Sequence, residues 1–146
     1  DVSKGAILGI NGGGGAARSI ASAWMNHGGK IASLGGKRQL PATLVNLKMD
    51  DETIFDVIID AEESLDKEVN ARHILNPVYQ SMRGSLDERI ESLSTSNNHI
   101  DGRWMLAAQH LESWRSLWTP HISDNLPTLE ELMTWLVAVE LKLDEI

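Results

Sequence analysis

Residues 5–38 read Gly5-Ala-Ile-Leu-Gly-Ile-Asn-Gly-Gly-Gly-Gly-Ala-Ala-Arg-Ser-Ile-Ala-Ser-Ala-Trp-Met-Asn-His-Gly-Gly-Lys-Ile-Ala-Ser-Leu-Gly-Gly-Lys-Arg38. A short apolar run, Ala6 to Ile10, predicts a strand and meets four consecutive glycines, Gly12 to Gly15. Ala17, Ile20, Ala21 and Trp24 follow at i, i+3, i+4 and i+7, the spacing of a helix with one apolar face. Gly28 and Gly29 end that helix, and Lys30 to Leu34 predicts a second short strand.

Strand, glycine turn, helix and strand in this order make a phosphate site credible. A phosphate needs bare backbone, because a Cβ would hold it away. The helix that starts at the turn offers unpaired N–H groups and the positive end of its dipole. Gly12-x-Gly14-Gly15-Ala16-Ala17 keeps two glycines of the G-x-G-x-x-G spacing and places Ala17 third, which that pattern permits. We therefore expect an α/β, Rossmann-like parallel sheet with flanking helices. Residues 1–120 would form the dinucleotide-binding domain, and 121–146 a helical C-terminal extension packed on it.

Working outward, Gly35-Gly36-Lys37-Arg38 falls where the end of strand 2 meets the adenosine ribose. An acid there favours NAD, and a base favours NADP by pairing with the 2′-phosphate. Lys37 and Arg38 point to NADP over NAD. Ala42-Thr-Leu-Val-Asn-Leu47 predicts a third strand. Its connection from strand 2 is short for a crossover of roughly 10–12 residues, so the usual crossover helix is expected to be trimmed or missing. Phe55-Asp-Val-Ile-Ile-Asp60 is the clearest strand, an apolar run without alternation, as a parallel strand buried on both faces requires.

Beyond it, residues 61–69 are acidic and read as helix or loop, and His73 to Tyr79 reads as a strand ending. Ser85-Leu-Asp-Glu88 is a capping box opening a helix with Leu86, Ile90 and Leu93 on one stripe. Residues 94–99 read as a polar loop. Asp101-Gly102 leads into a long helix, with Trp104, Ala107, Ala108, Leu111, Trp114 and Trp118 near one stripe and Thr119-Pro120 as its stop. Thr128-Leu-Glu-Glu131 is a second capping box, and Leu129, Leu132, Met133, Leu136 and Leu143 continue a final helix.

Composition sets the outer bounds. The 146 residues suffice for one domain with a core, and 42% are apolar. No run approaches the roughly 20 apolar residues that span a bilayer, and no stretch reads as a charged-then-apolar leader. Cysteine is absent, which removes disulfides, thiolate metal sites and cysteine nucleophiles and fits a cytoplasmic setting. The formal charge of −8 argues against nucleic acid as partner. The first 49 residues, by contrast, hold Lys4, Arg18, Lys30, Lys37, Arg38 and Lys48 against Asp1 alone, a locally basic surface that suits an anionic cofactor. A start at Asp1 rather than methionine leads us to expect a piece of a longer polypeptide.

Four pieces in chain order resemble the shikimate and quinate dehydrogenases. Residues 7–18 resemble that family's nucleotide loop, G-x-G-G-A-A/S-R after a strand. Phe55-Asp-Val-Ile-Ile-Asp-Ala61 is similar to its F-D-I/V-I-I-N-A, Asn76-Pro-Val-Tyr79 to its D-x-V-Y, and residues 100–119 to its closing G-x-x-M-L-x-x-Q followed by W-T. The resemblance covers most of residues 4–120. It implies that Gly12, Gly14, Gly15, Ala16 and Ala17 cradle the pyrophosphate, that Arg18 begins the helix, and that Lys37 and Arg38 hold the 2′-phosphate. It puts Ala61 beside the cofactor, Gly102 and Met105 beside the nicotinamide, and Tyr79 and Gln109 against a polyol acid. Without the resemblance, Gln109 reads as a polar residue on an exposed helix face.

The departures are specific. The family's T-P-x-G-M is here Glu62-Glu63-Ser64-Leu65-Asp66, and two carboxylates beside a cofactor phosphate would repel it. The aspartate of D-x-V-Y is Asn76, and the proline and threonine after the tyrosine are Ser81 and Gly84. The domain that carries the family's catalytic lysine and aspartate has no counterpart here, so no catalytic residue is assigned and a separate catalytic domain or partner is expected. The five histidines show no metal-ligand spacing, and there is no G-x-S-x-G elbow. The tryptophans are core or interface, and the last acidic helix either covers the sheet or docks on a partner. Two readings result: the NADP-binding part of a ring-alcohol oxidoreductase, or a non-catalytic regulatory relative such as the dehydrogenase-like domain of fungal quinate-pathway repressors. A helical interaction protein with a mere glycine linker is a third, weaker one.

Overall fold

The apolar run before the glycines forms strand β1 (Ile7–Asn11), and the helix after them is α1 (Gly15–Asn26). The computed structural model describes residues 4–65, 69–79, 81–94, 98–118 and 120–144. Asp66, residues 95–97 of the expected polar loop, and Thr119 lie outside the described residues. The chain divides into two units, Asp1–Val78 and Tyr79–Ile146, and the boundary expected near residue 120 falls inside the second.

In the first unit β1, β2 (Lys30–Gly35), β3 (Phe55–Asp60) and β4 (Ala71–Asn76) run parallel in the order β2-β1-β3-β4. Parallel neighbours need a crossover connection, and α1 is the one from β1 to β2. Most strand side chains alternate between two apolar clusters, as a strand period of two requires, with Phe55 at the start of β3 an exception. Leu8, Ile10, Ile31 and Ile59 join Ala17 and Ala21 of α1 on one side. Ala32, Phe55 and Ile58 form the other, closed by Leu47, Leu65 and Val69 from the connections. Each large side chain buried this way contributes about 1.5–3 kcal/mol. Helix α1 ends where Gly28, at φ 84°, donates its N–H to Met25 O. Its Trp24 Nε1 donates to Ala6 O at 3.0 Å, tying the last turn to the entry of β1.

The expected third strand is absent. Ala42–Leu44 is a single 3₁₀ turn, and residues 45–50 are irregular. Pro41 lacks an N–H and starts the turn by accepting Leu44 N–H. The segment must also travel from the outer strand β2 past β1 to reach β3, a path no strand in this sheet could follow. So this stretch is itself the trimmed crossover, and Phe55–Asp60 is the third strand rather than the fourth. Its Asn46 closes the outer edge of β2. Asn46 Oδ1 accepts Ile31 N–H at 2.6 Å, Asn46 N–H donates to Ile31 O, and Asn46 Nδ2 donates to Gly29 O. An edge strand otherwise presents such groups to other chains.

The second unit holds α2 (Leu86–Ser94), β5 (His99–Asp101), α3 (Gly102–Ser113) and α4 (Leu129–Asp144). Leu93, Met133 and Val137 are its buried centre, with Ile90, Trp104 and Leu136 packed around them. Both capping boxes form: Ser85 N–H donates to Glu88 and Glu88 N–H to Ser85 Oγ, and Thr128 and Glu131 exchange the same bonds. The Ser85 amide and hydroxyl hold the Glu88 carboxyl below its usual value. A depressed carboxylate stabilises the fold above its unfolded pKa, and that contribution is lost as pH falls through the folded pKa. Glu88→Gln is therefore expected to lower stability at pH 7 and to make progressively less difference as pH falls below the ordinary carboxylate range, read by urea titration across that range.

The tryptophan stripe is shorter than the sequence suggests. Ala107 and Leu111 are buried, but α3 passes into a π-helical turn over Trp114–Trp118. The extra residue per turn rotates the stripe away, leaving Trp118 74% exposed. Leu143 of α4 is also exposed, and Val137 occupies the buried position instead. No helix among the described residues is long and apolar enough to cross a membrane. A parallel sheet with flanking helices, a glycine turn between β1 and α1 and a helical C-terminal segment define an α/β, Rossmann-like fold.

Candidate functional site

The carboxyl ends of β1, β2 and β3 are tied together at the glycines. Gly12 N–H donates to Gly35 O and Ala61 N–H to Asn11 O, both at 3.0 Å. Asn11 is buried, and its Nδ2 donates to Asp60 Oδ1 at 2.7 Å and to Ser64 Oγ at 3.2 Å. Burial of the Asn11 amide nitrogen is acceptable because it finds two acceptors. The result fixes the turn after β3 against the turn after β1.

A cleft of about 450 Å³ lies over these ends, lined by residues 12–17 together with Lys37, Arg38, Ala61, Glu62 and Pro77. The four glycines have different roles. A Cβ at Gly13 would stand 2.3 Å from the Gln39 carbonyl oxygen, so Gly13 lets the turn after β2 pack on the loop. A Cβ at Gly14 or Gly15 would meet nothing within 4 Å, so these two leave the cleft floor bare. Gly14 caps α1 without a side-chain bond, and the first turn holds no acid. The first-turn N–H groups and the positive helix end thus face the cleft with no side chain spent on them. Arg18 does not begin the helix. It lies in the fourth helical position, and its Nε donates to Gly13 O at 2.8 Å, bracing the loop from behind.

Lys37 and Arg38 are exposed on the rim, and neither cationic head has a hydrogen bond or ion pair among the described residues. Their backbone amides are engaged. Lys37 N–H donates to Glu62 Oε2 at 2.5 Å, and Arg38 N–H to Glu62 Oε1 at 3.3 Å. The two acids after β3 part company: Glu62 lines the cleft, whereas Glu63, at φ 49°, accepts Asn76 Nδ2 at 3.1 Å. The repulsion expected from a carboxylate pair therefore reduces to one carboxylate.

A second cavity, about 210 Å³, is lined by Asn11, Leu34, Gly36, Met49, Ser64, Leu65 and Val69. Gly36, at φ 100°, lies between it and the cleft, since a Cβ there would press on Gly12 N and on the Glu62 carboxyl carbon.

The remaining expected residues belong to the second unit. Gly102 is buried at the start of α3, Met105 is half-buried, and Gln109 lies on the exposed face. Tyr79 is half exposed, with the Arg103 guanidinium 5.2 Å from its ring centre. Arg103 is itself buried between Asp101 and Glu140. Burial opposes its charge, but the bonds and charges of Glu140 and Asp101 outweigh that and raise its pKa. Sequence reading missed Gly13, Gly36, Asn11 and the Arg103–Glu140 pair. The one signal for Glu62 in the sequence was its place in an acidic pair directly after the β3 run. Among the described residues no cluster of three His, Cys, Asp or Glu side chains could hold a metal.

Comparison with known protein families and with curated protein sequences finds no match to this chain. The fold and the cleft define the class, a Rossmann-like α/β protein with an open glycine-floored site.

Proposed function

We propose that the first unit binds a dinucleotide, with its pyrophosphate on the loop of Gly12, Gly14, Gly15, Ala16 and Ala17. One observation carries the reading: the floor at Gly14 and Gly15 is bare, uncapped helix N–H groups face it, and two cations with no ion pair among the described residues stand on its rim. Lys37 and Arg38 suit a 2′-phosphate, so NADP is the proposed cofactor. With the resemblance to shikimate and quinate dehydrogenases, the chain reads as the cofactor half of an oxidoreductase acting on a ring alcohol. The nicotinamide would supply hydride transfer, and this chain's residues would bind and orient the cofactor. Tyr79 and Gln109 are proposed to face a polyol acid, and a separate catalytic domain supplies the proton-transferring groups.

The second reading is a non-catalytic dehydrogenase-like module for regulation or protein interaction. It is favoured by Glu62, whose carboxylate stands in the cleft where an anion would sit.

Calorimetric titration of the chain with NADP and NAD tests the proposal, with Gly15→Asp as the discriminating variant. Aspartate in a first helical turn is stabilising, and nothing crowds its Cβ, so the variant folds. Its charge over the cleft floor is expected to weaken nucleotide binding at least about 100-fold, since like charges in contact are opposed by several kcal/mol. Unchanged binding in this variant removes the loop from the site.

A further inference from the structure

We infer that Glu62 limits the preference for NADP over NAD that Lys37 and Arg38 give this site, by occupying backbone amides that a 2′-phosphate could otherwise use. The inference rests on the dinucleotide reading above and goes beyond it, because it assigns part of the specificity to a residue on β3's turn that opposes the basic pair after β2.

Three chemistries stand in sequence across the sheet end. The cavity walled by Leu34, Met49, Leu65 and Val69, with Asn11 and Ser64 also in its lining, is mainly apolar and suits a flat base with polar edges. The glycine floor suits phosphates. Between them, around Gly36, stands the Glu62 carboxylate. Base, sugar and phosphate follow in that order in an adenosine dinucleotide, so the carboxylate lies at the level of the ribose. Lys37 N–H and Arg38 N–H each donate to one of its oxygens. A carboxylate accepts about four hydrogen bonds, which leaves acceptor sites for the 2′- and 3′-hydroxyls.

A 2′-phosphate meets the opposite situation. It brings roughly two negative charges to a carboxylate. It also loses two backbone donors, because Glu62 already holds them. The Lys37 and Arg38 side chains attract the phosphate while Glu62 repels it, so Glu62 is the counterweight to the basic pair. A sequence search for an acid at the end of β2 finds none, because this acid arrives from the next strand but one in space.

The test is calorimetric titration of the full chain, Glu62→Gln and Glu62→Ala with NAD and with NADP, each variant checked for folding by circular dichroism. Glu63→Gln is the control, since Glu63 turns to Asn76. The expected result is a rise of about tenfold in the ratio of NADP to NAD affinity in both Glu62 variants, from like-charge repulsion removed near a partly solvated site. The control leaves the ratio unchanged. Binding of both nucleotides with an unaltered ratio in the Glu62 variants overturns the assignment and leaves the dinucleotide reading standing. No binding of either nucleotide to the folded wild type and variants overturns the dinucleotide reading, and the inference with it.

Discussion

Arg103→Met is expected to lower the stability of the second unit by about 3–5 kcal/mol, the effect of removing one partner from a buried ion pair. The Arg103 side chain is 7% exposed and that of Asp101 8%. Arg103 Nη1 reaches both Asp101 oxygens at 3.0–3.1 Å, and Nε reaches both Glu140 oxygens at 3.0 Å. The guanidinium thus joins the entry of α3 to the middle of α4. Methionine fills similar space but removes the guanidinium that pairs with the buried Asp101 carboxylate, which keeps its cap on the residue 103 N–H. Urea unfolding followed by tryptophan fluorescence reads this unit well, because Trp104, Trp114, Trp118 and Trp135 all lie in it. Arg103→Met with Asp101→Asn is expected to recover more than about 1 kcal/mol, as coupled neighbours do not add. A loss below about 1 kcal/mol in the single variant would show that the pair is not buried in solution.

Gly13→Ala carries the second large effect. The new Cβ would lie 2.3 Å from Gln39 O, 2.4 Å from Gln39 C and 2.8 Å from Arg38 O. All three are backbone atoms, so no side chain can swing aside. Either the glycine loop or the turn after β2 must move, and overpacking of this kind costs about 1–3 kcal/mol. Because Lys37 and Arg38 lie on the segment that must give, the proposed nucleotide binding is expected to weaken along with stability. Gly15→Ala, two residues later, is the matched comparison. Its Cβ meets nothing, and alanine in a helix is favoured over glycine by up to about 1 kcal/mol. One methyl group is therefore expected to have opposite signs at positions 13 and 15, measured as urea midpoints of the two variants. Equal midpoints would show that residues 38–39 do not pack on the loop.

Strands β1, β2 and β3, helix α1 and both capping boxes were legible in the sequence, because each rests on local chemistry. Apolar runs between glycines make strands, i, i+3, i+4 spacing makes a helix, and a serine or threonine three residues before glutamate closes on itself. The glycine turn between β1 and α1 was legible for the same reason. Tertiary structure alone decided what Ala42–Leu47 does. Its residues favour a strand, but its place between β2 and β3 demands a crossing, and connectivity overrides propensity. It likewise decided that Gly13 is a packing contact while Gly14 and Gly15 are open. It split Glu62 from Glu63, sending one into the cleft and the other to Asn76. Arg103 and Glu140 lie 37 residues apart, and no local pattern pairs them. Spacing along a chain encodes which groups share a face of one element. Which groups meet across elements depends on how strands are ordered and how turns pack, and that is set only when the whole sheet forms.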